Sequence, residues 1–313
     1  MDFAVETWAP DYGAPVGAAV LDDSDATVDL AVERDPGDWA PIGPEGVAPA
    51  PTVLFVDGVQ RIDARVWITE GGLTRSGVCA SWAAGVVRCD GRAEVVAAEV
   101  RRGVLCPGGA GGDIATERGD YRAYPVPDTG TGDPVEQALG RARGDLEGRV
   151  AAAAGRSPAG GELLVVDGPL GDRRHIAGAV GYIKAHHVSY LPAALQHAVT
   201  GLRPGQRTPL FAVGDRRFRY SWYLRLPGPA THPWWGIVRC EASGDLSRVD
   251  AAAVADRVGA TLPRFASQPH NDHRAPQNLH PIAGLERELR RRLGDPLLLE
   301  RALRRAASPP VPA

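Results

Sequence analysis

Two short apolar runs that each end in Asp-Gly constrain this chain more than any other feature: Val53-Leu54-Phe55-Val56-Asp57-Gly58 and Leu163-Leu164-Val165-Val166-Asp167-Gly168. An unbroken run of β-branched and large apolar residues has no solvent-facing side, so each reads as a buried central strand that delivers a carboxylate at its C-terminal end. At 313 residues, with 44% hydrophobic and 23% charged content, the chain has the makeup of an ordinary folded protein. It is long enough for one large domain or a core with an appendage.

Around these runs the pattern predicts a mixed α/β order. Residues 1–50 alternate short apolar runs (18–21, 28–32) with Pro, Gly and Asp, and read as a loop- and strand-rich N-terminal flank. Residues 62–68 alternate and are expected to form a second strand pairing antiparallel with the first, followed by a third over 78–87 that ends at the turn Asp90-Gly91. The Gly-, Asp- and Pro-rich stretch 107–133 reads as a surface excursion. A helix over 134–154 carries Asp133 as N-cap and Pro134 at its first position. After a turn and a mixed segment over 176–191, strands are expected at 209–213, 219–226 and 235–240, and an Ala-rich helix at 249–262. Ile282, Leu285, Leu289 and Leu293 form one stripe of a further helix, and the Pro-rich end from Ser308 is expected to fray.

Several function classes drop out early. The N-terminus has acids where a secretory signal has basic residues, and no stretch of about 18 apolar residues occurs, so a cytoplasmic protein without a membrane span is expected. Cys79, Cys89, Cys106 and Cys240 lack zinc-knuckle spacing and are expected to be free thiols. A net charge of −3 gives no whole-molecule basic field, so nucleic-acid contact would have to come from local clusters. Lys184 is the one lysine in a chain whose other cations are arginines, which marks it as a candidate functional group, since a compact ammonium is not interchangeable with a guanidinium.

Two strand-end carboxylates come together if their strands lie side by side. Paired carboxylates suit hard divalent cations, which prefer oxygen ligands and leave positions for phosphate and water. Two such ions serve phosphodiester cleavage. An Asp-Gly after an apolar strand is equally a turn signal, and only its context separates the readings.

That context comes from order. Phe55-Val56-Asp57-Gly58, Val165-Val166-Asp167-Gly168-Pro169-Leu170, Gly181-Tyr182-Ile183-Lys184 and Leu279-His280-Pro281-Ile282-Ala283-Gly284-Leu285-Glu286 together resemble the NurA nucleases, which work beside the HerA translocase at DNA ends. The resemblance spans about residues 50 to 293 and implies an RNase H-like mixed sheet flanked by helices over 51–307. It also implies a homodimer, cleavage of DNA with Mn²⁺ or Mg²⁺ (two ions), 5′→3′ exonuclease and single-strand endonuclease activity, and a HerA-type hexameric ATPase as partner.

Carried over by position, Asp57 and Asp167 become metal ligands. The third carboxylate belongs on the helix before the second strand, where Glu147, 20 residues ahead of Asp167, is the first choice and Glu136 the alternative; Glu94 and Glu99 are weaker. His280 would complete the metal site or orient the attacking water, and Lys184 would neutralise charge on the phosphoryl oxygens. DNA contact is expected from Arg173, Arg174, Arg216, Arg217 with Arg219, and Tyr182, with Tyr190, Tyr223 and the arginines at 287 and 290–292 as further candidates. A solvated helix face explains that last cluster equally well. No base-reading motif occurs, so little sequence specificity is expected. His186-His187 and His270/His273 read as ordinary residues of their segments. Two rivals change the function: an inactive DNA-end-binding adaptor of the translocase that keeps the fold, and a phosphotransferase of the related actin-like ATPase fold, which the lack of a glycine-rich phosphate loop disfavours.

Overall fold

The computed structural model describes residues 22–23, 26–109, 111–127, 133–154, 161–171, 176, 178–186, 188–214, 218–228 and 232–307. In chain order the strands are β1 (Asp22–Asp23), β2 (Thr27–Asp29), β3 (Val53–Glu70), β4 (Leu73–Cys89), β5 (Ala93–Leu105), β6 (Arg122–Tyr124), β7 (Leu163–Asp167), β8 (Ala179–Ile183), β9 (Val188–Ser189), β10 (Phe211–Gly214), β11 (Arg219–Arg225) and β12 (Ile237–Ser243). The helices are α1 (Pro134–Ala153), α2 (Gln196–Thr200), α3 (Arg248–Thr261), α4 (His280–Arg292) and α5 (Pro296–Ala307).

The fold is α/β: a ten-stranded mixed sheet in the order β2-β10-β11-β12-β8-β7-β3-β4-β5-β6, flanked by helices. In its middle β3, β4 and β5 follow one another as neighbours, β7 lies beside β3, and β7 runs parallel to β8. A two-residue link joins only antiparallel strands, and Gly71-Gly72 between β3 and β4 supplies it with φ of 58° and 77°, a conformation that glycine alone adopts without strain.

That hairpin corrects one expectation. Residues 62–68 are no separate strand; they continue β3, which runs 18 residues before turning at Gly71. Gly58 keeps an extended backbone, whereas Gly168 adopts φ 92° and ends its strand. The helix over 134–154 forms as the pattern predicts, with Asp133 Oδ1 accepting from Val135 N (2.8 Å) and Glu136 N (3.3 Å). The helices expected near 249–262 and 282–293 form as α3 and α4. Absent from the sequence reading were the strands β5 and β8, the short elements β6, β9 and α2, and helix α5, whose N-terminus is capped by Asp295. All four cysteines are free and buried. No helix among the described residues is long and apolar enough to cross a membrane.

The chain divides into two compact units. Unit 1 holds residues 1–55, 88–94 and 156–283; unit 2 holds 56–87, 95–155 and 284–313. In unit 1, Arg207 is almost fully buried and ties the N-terminal flank to α3. It donates to Glu33 Oε1 and Oε2 (2.8 Å each) and to Asp256 Oδ1 (2.8 Å), while Glu33 Oε2 also accepts from Leu210 N. Trp39, Phe211, Val213, Tyr223 and Ile237 belong to an apolar cluster of the same unit. In unit 2, Cys79, Val104, Tyr121 and Leu303 form a core that seats α5. Beside that core the buried Asp63 accepts from Arg61 (2.8 Å), Tyr121 (3.0 Å) and Ser81, and Arg61 and Arg102 cap the carbonyls of Gly294 and Leu293 beyond α4.

Candidate active site

Unit 1 presents Asp167 at the end of β7. Its Oδ2 accepts from Lys184 Nζ at 2.6 Å, and Lys184 also donates to Asn278 Oδ1 at 3.1 Å. Asn278 is fully buried and donates onward to Asp272 Oδ2 at 2.6 Å. The parallel pairing of β7 with β8, Asp167 opposite Tyr182, brings Lys184 beside the carboxylate, because Lys184 follows β8 directly. Asp167 Oδ1 is buried and has no hydrogen-bond partner among the described residues. An orphan carboxylate oxygen in a buried setting is costly unless something completes it.

The loop after Asp167 is held closely. Gly168 and Tyr182 exchange backbone hydrogen bonds (2.8 and 3.0 Å), and Leu170 N donates to Glu241 Oε2 at 3.0 Å. Glu241 is itself buried and accepts from Arg219 Nε (2.9 Å) and Arg239 (2.5 Å). Burial pushes the Glu241 carboxyl up, but the two guanidinium charges and the Leu170 amide outweigh it and hold the group below the ordinary carboxylate range. Gly181, paired with Glu241 in β8, leaves room for the loop: a Cβ there would lie 2.7 Å from Leu170 N.

Unit 2 presents Asp57 and Glu147. Asp57 is 8% exposed and its Oδ1 accepts from Gly58 N at 2.7 Å. Glu147, 4% exposed on α1, lies against Gly58: a Cβ on that glycine would sit 2.4 Å from Glu147 Oε1. Arg143, one turn earlier, lies 3.4 Å from the same oxygen. Glu136 is exposed in the first turn of α1, eleven residues or about 16 Å along the helix from Glu147. Of the two glutamates, only Glu147 is placed against Gly58, the residue that follows Asp57.

The remaining expected residues divide. His280 opens α4 and is exposed. Tyr182 does not reach a surface that DNA could touch; it is fully buried, its hydroxyl donates to Gln277 O at 2.6 Å, and burial pushes its phenol well up. Tyr223 is likewise buried, and Tyr190 lies under Arg239, whose guanidinium is 4.6 Å from the ring centre. Arg173, Arg174, Arg216, Arg217 and His187 lie outside the described residues. On α4, Arg290 pairs with Glu286, and Arg291 and Arg292 with Glu288, the pattern of a solvated helix face. His186 sits between Tyr223 and Trp234, while His270 and His273 are exposed. Asn278, Glu241 and Gly181 were missed by the sequence reading.

No family model and no curated protein matches the chain. Among solved structures it is similar to the Argonaute of Marinitoga piezophila, crystallised with a 5′-hydroxyl guide RNA and target DNA. The identity is 9% over 80% of this chain and 32% of that one, with a TM-score of 0.28. The chain thus spans about a third of that protein's length, and a likeness this loose carries no argument about activity.

Among the described residues no three His, Cys, Asp or Glu side chains form a ready metal-binding group. Each unit offers part of an oxygen-donor set: Asp57 with Glu147 in one, Asp167 with its orphan Oδ1 in the other. Such donors fit a hard divalent cation in kind.

Proposed function

We propose that the chain is a divalent-metal-dependent deoxyribonuclease of the NurA type, with Asp57, Glu147 and Asp167 as carboxylate donors. The observation that carries the proposal is Asp167: a half-buried strand-end carboxylate with one oxygen on the lone lysine and the other, itself buried, without a partner among the described residues. Assigning all three carboxylates to one centre rests on the resemblance and on their chemistry. A Mn²⁺ or Mg²⁺ ion bound there supplies Lewis-acid stabilisation of a phosphodiester undergoing hydrolysis.

The chain's own groups have separable tasks. Lys184 brings an ammonium to Asp167, and Asn278 with Asp272 fixes that ammonium's position, so its charge is available to a phosphate without free rotation. Glu241 holds the loop after Asp167 through Leu170 N, which sets the carboxylate's orientation. His280, exposed at the start of α4, is open to substrate as a group that orients water. A HerA-type ATPase, a homodimer and 5′→3′ polarity belong to the same proposal through the resemblance alone.

The test compares wild type with Asp57→Ala, Asp167→Ala and Lys184→Ala on linear single- and double-stranded DNA with Mn²⁺, Mg²⁺ or EDTA. Metal-dependent cutting lost in both aspartate variants is expected. No cutting by folded wild type, even with its ATPase, or cutting that survives both changes, refutes the nuclease and leaves the end-binding adaptor.

A further inference from the structure

Three arginines are buried among the described residues: Arg207, Arg239 and Arg225. The first two are paired with carboxylates, Arg207 with Glu33 and Asp256, Arg239 with Glu241. Arg225, 6% exposed near the end of β11, is different. Among the described residues it donates only to backbone carbonyls, of Trp235, Thr200 (2.9 Å) and Pro233 (2.7 Å), and its Nε has no partner. Carbonyl dipoles satisfy N–H groups without cancelling a charge, and an uncompensated buried charge is strongly unfavourable. Burial accordingly pushes the Arg225 guanidinium below its ordinary value, with no acid opposing the shift.

Arg225 lines a cleft of about 420 Å³ in unit 1. The cleft's other polar walls are Arg203, His232 and Thr200, and no Asp or Glu lines it among the described residues. Its shape is set by packing and turns. Trp235 lies so close to Gly228 that a Cβ there would meet the ring at 2.0 Å, and Trp235 N donates to His232 O at 3.0 Å. Two arginines and an imidazole facing one concavity without an acid make a site for a small oxyanion, since guanidinium groups match phosphate geometry.

We infer that the cleft bounded by Arg203, Arg225 and His232 binds a phosphate group, either free or carried on a nucleic acid. The site shares no residue with the carboxylates assigned above and does not depend on the nuclease reading.

The experiment titrates the full chain, in phosphate-free buffer, with inorganic phosphate, a 5′-phosphorylated dinucleoside and a dinucleoside monophosphate diester, followed calorimetrically. Saturable binding of at least one is expected. It should weaken at least tenfold in the Arg203→Ala/His232→Ala double variant, whose side chains hold no part of the core, and in Arg225→Gln. Preference for inorganic phosphate and the 5′-phosphorylated probe over the diester identifies a free or terminal phosphate, and binding of the diester as tight as theirs identifies a backbone. Absence of saturable binding by all three probes, or binding unchanged in the double variant, overturns the inference. If Arg225→Gln fails to fold, the double variant decides alone.

Discussion

Replacing Gly181 by alanine tests whether the loop after Asp167 is as tightly fitted as its contacts imply. The new Cβ would stand 2.7 Å from Leu170 N and 3.2 Å from Gly168 O, where ordinary contact begins at 3.4 Å. The obstructing atoms are backbone, so no side chain can swing aside, and the loop must move by about 0.7 Å. Overpacking of this kind costs roughly 1–3 kcal/mol. The displacement also stretches the hydrogen bond from Leu170 N to the charged Glu241, a class worth roughly 1.5–3 kcal/mol when intact. Because one movement produces both losses they overlap, and about 3 kcal/mol in total is expected. At about 2 °C per kcal/mol for a chain of this size, the melting temperature should fall by roughly 6 °C. Far-UV circular dichroism measures that shift, and a DNA cleavage assay at a temperature where the variant is folded measures what reorienting Asp167 does. A melting temperature within 1 °C of wild type together with unchanged cleavage would refute the account of how this loop is held.

Other changes have opposite or separate expectations. Gly140→Ala and Gly144→Ala in α1 place a methyl in open space, so each should stabilise by roughly 0.5–1 kcal/mol in denaturant titration; a loss in both would mean that α1 packs more closely than described. Burial pushes the Glu33 carboxyl up, but Arg207 and the Leu210 amide outweigh it and hold the group below 4.5. A lowered carboxylate contributes stability above its unfolded value and loses it as pH falls through the folded one, so Glu33→Gln, which weakens the charged hydrogen bonds to Arg207 at a half-buried position, should cost about 2 kcal/mol at neutral pH and flatten the acid limb below pH 4.5; an unchanged acid limb would contradict this. Burial raises the thiols of Cys79 to about 12 and Cys89 to about 11, and Cys106 and Cys240 are also buried. A thiol-specific chromogenic reagent at neutral pH should therefore modify none in the folded protein and all four after denaturation, and rapid reaction of the native protein would disprove their enclosure.

How much of this could be read from residues alone depends on what each signal measures. The apolar runs at 53–56 and 163–166 report burial, and both are buried strands. The dipeptide that follows them reports less. Asp167-Gly168 is a turn because Pro169 cannot extend a ladder, whereas Asp57-Gly58 is followed by Val59 and an alternating stretch that carries β3 on to Glu70. The stronger turn signal was Gly71-Gly72, where two positive φ angles in succession need glycine. Helix α5 carries the same Asp-Pro start that marks α1, at Asp295-Pro296, so its signal was present in the sequence. Asn278 carried no such signal: a neutral amide attracts no attention in a search for acids and imidazoles, and its importance appears only when the chain places it on Lys184. Glu241 is the same case in reverse. It is a carboxylate in a strand near the proposed chemistry, yet with Arg219, Arg239 and Leu170 N on its oxygens it is committed to holding a loop. A carboxylate's role therefore follows from which of its oxygens remain unclaimed, and that criterion separates Asp167, with Oδ1 open, from Glu241, with both oxygens taken.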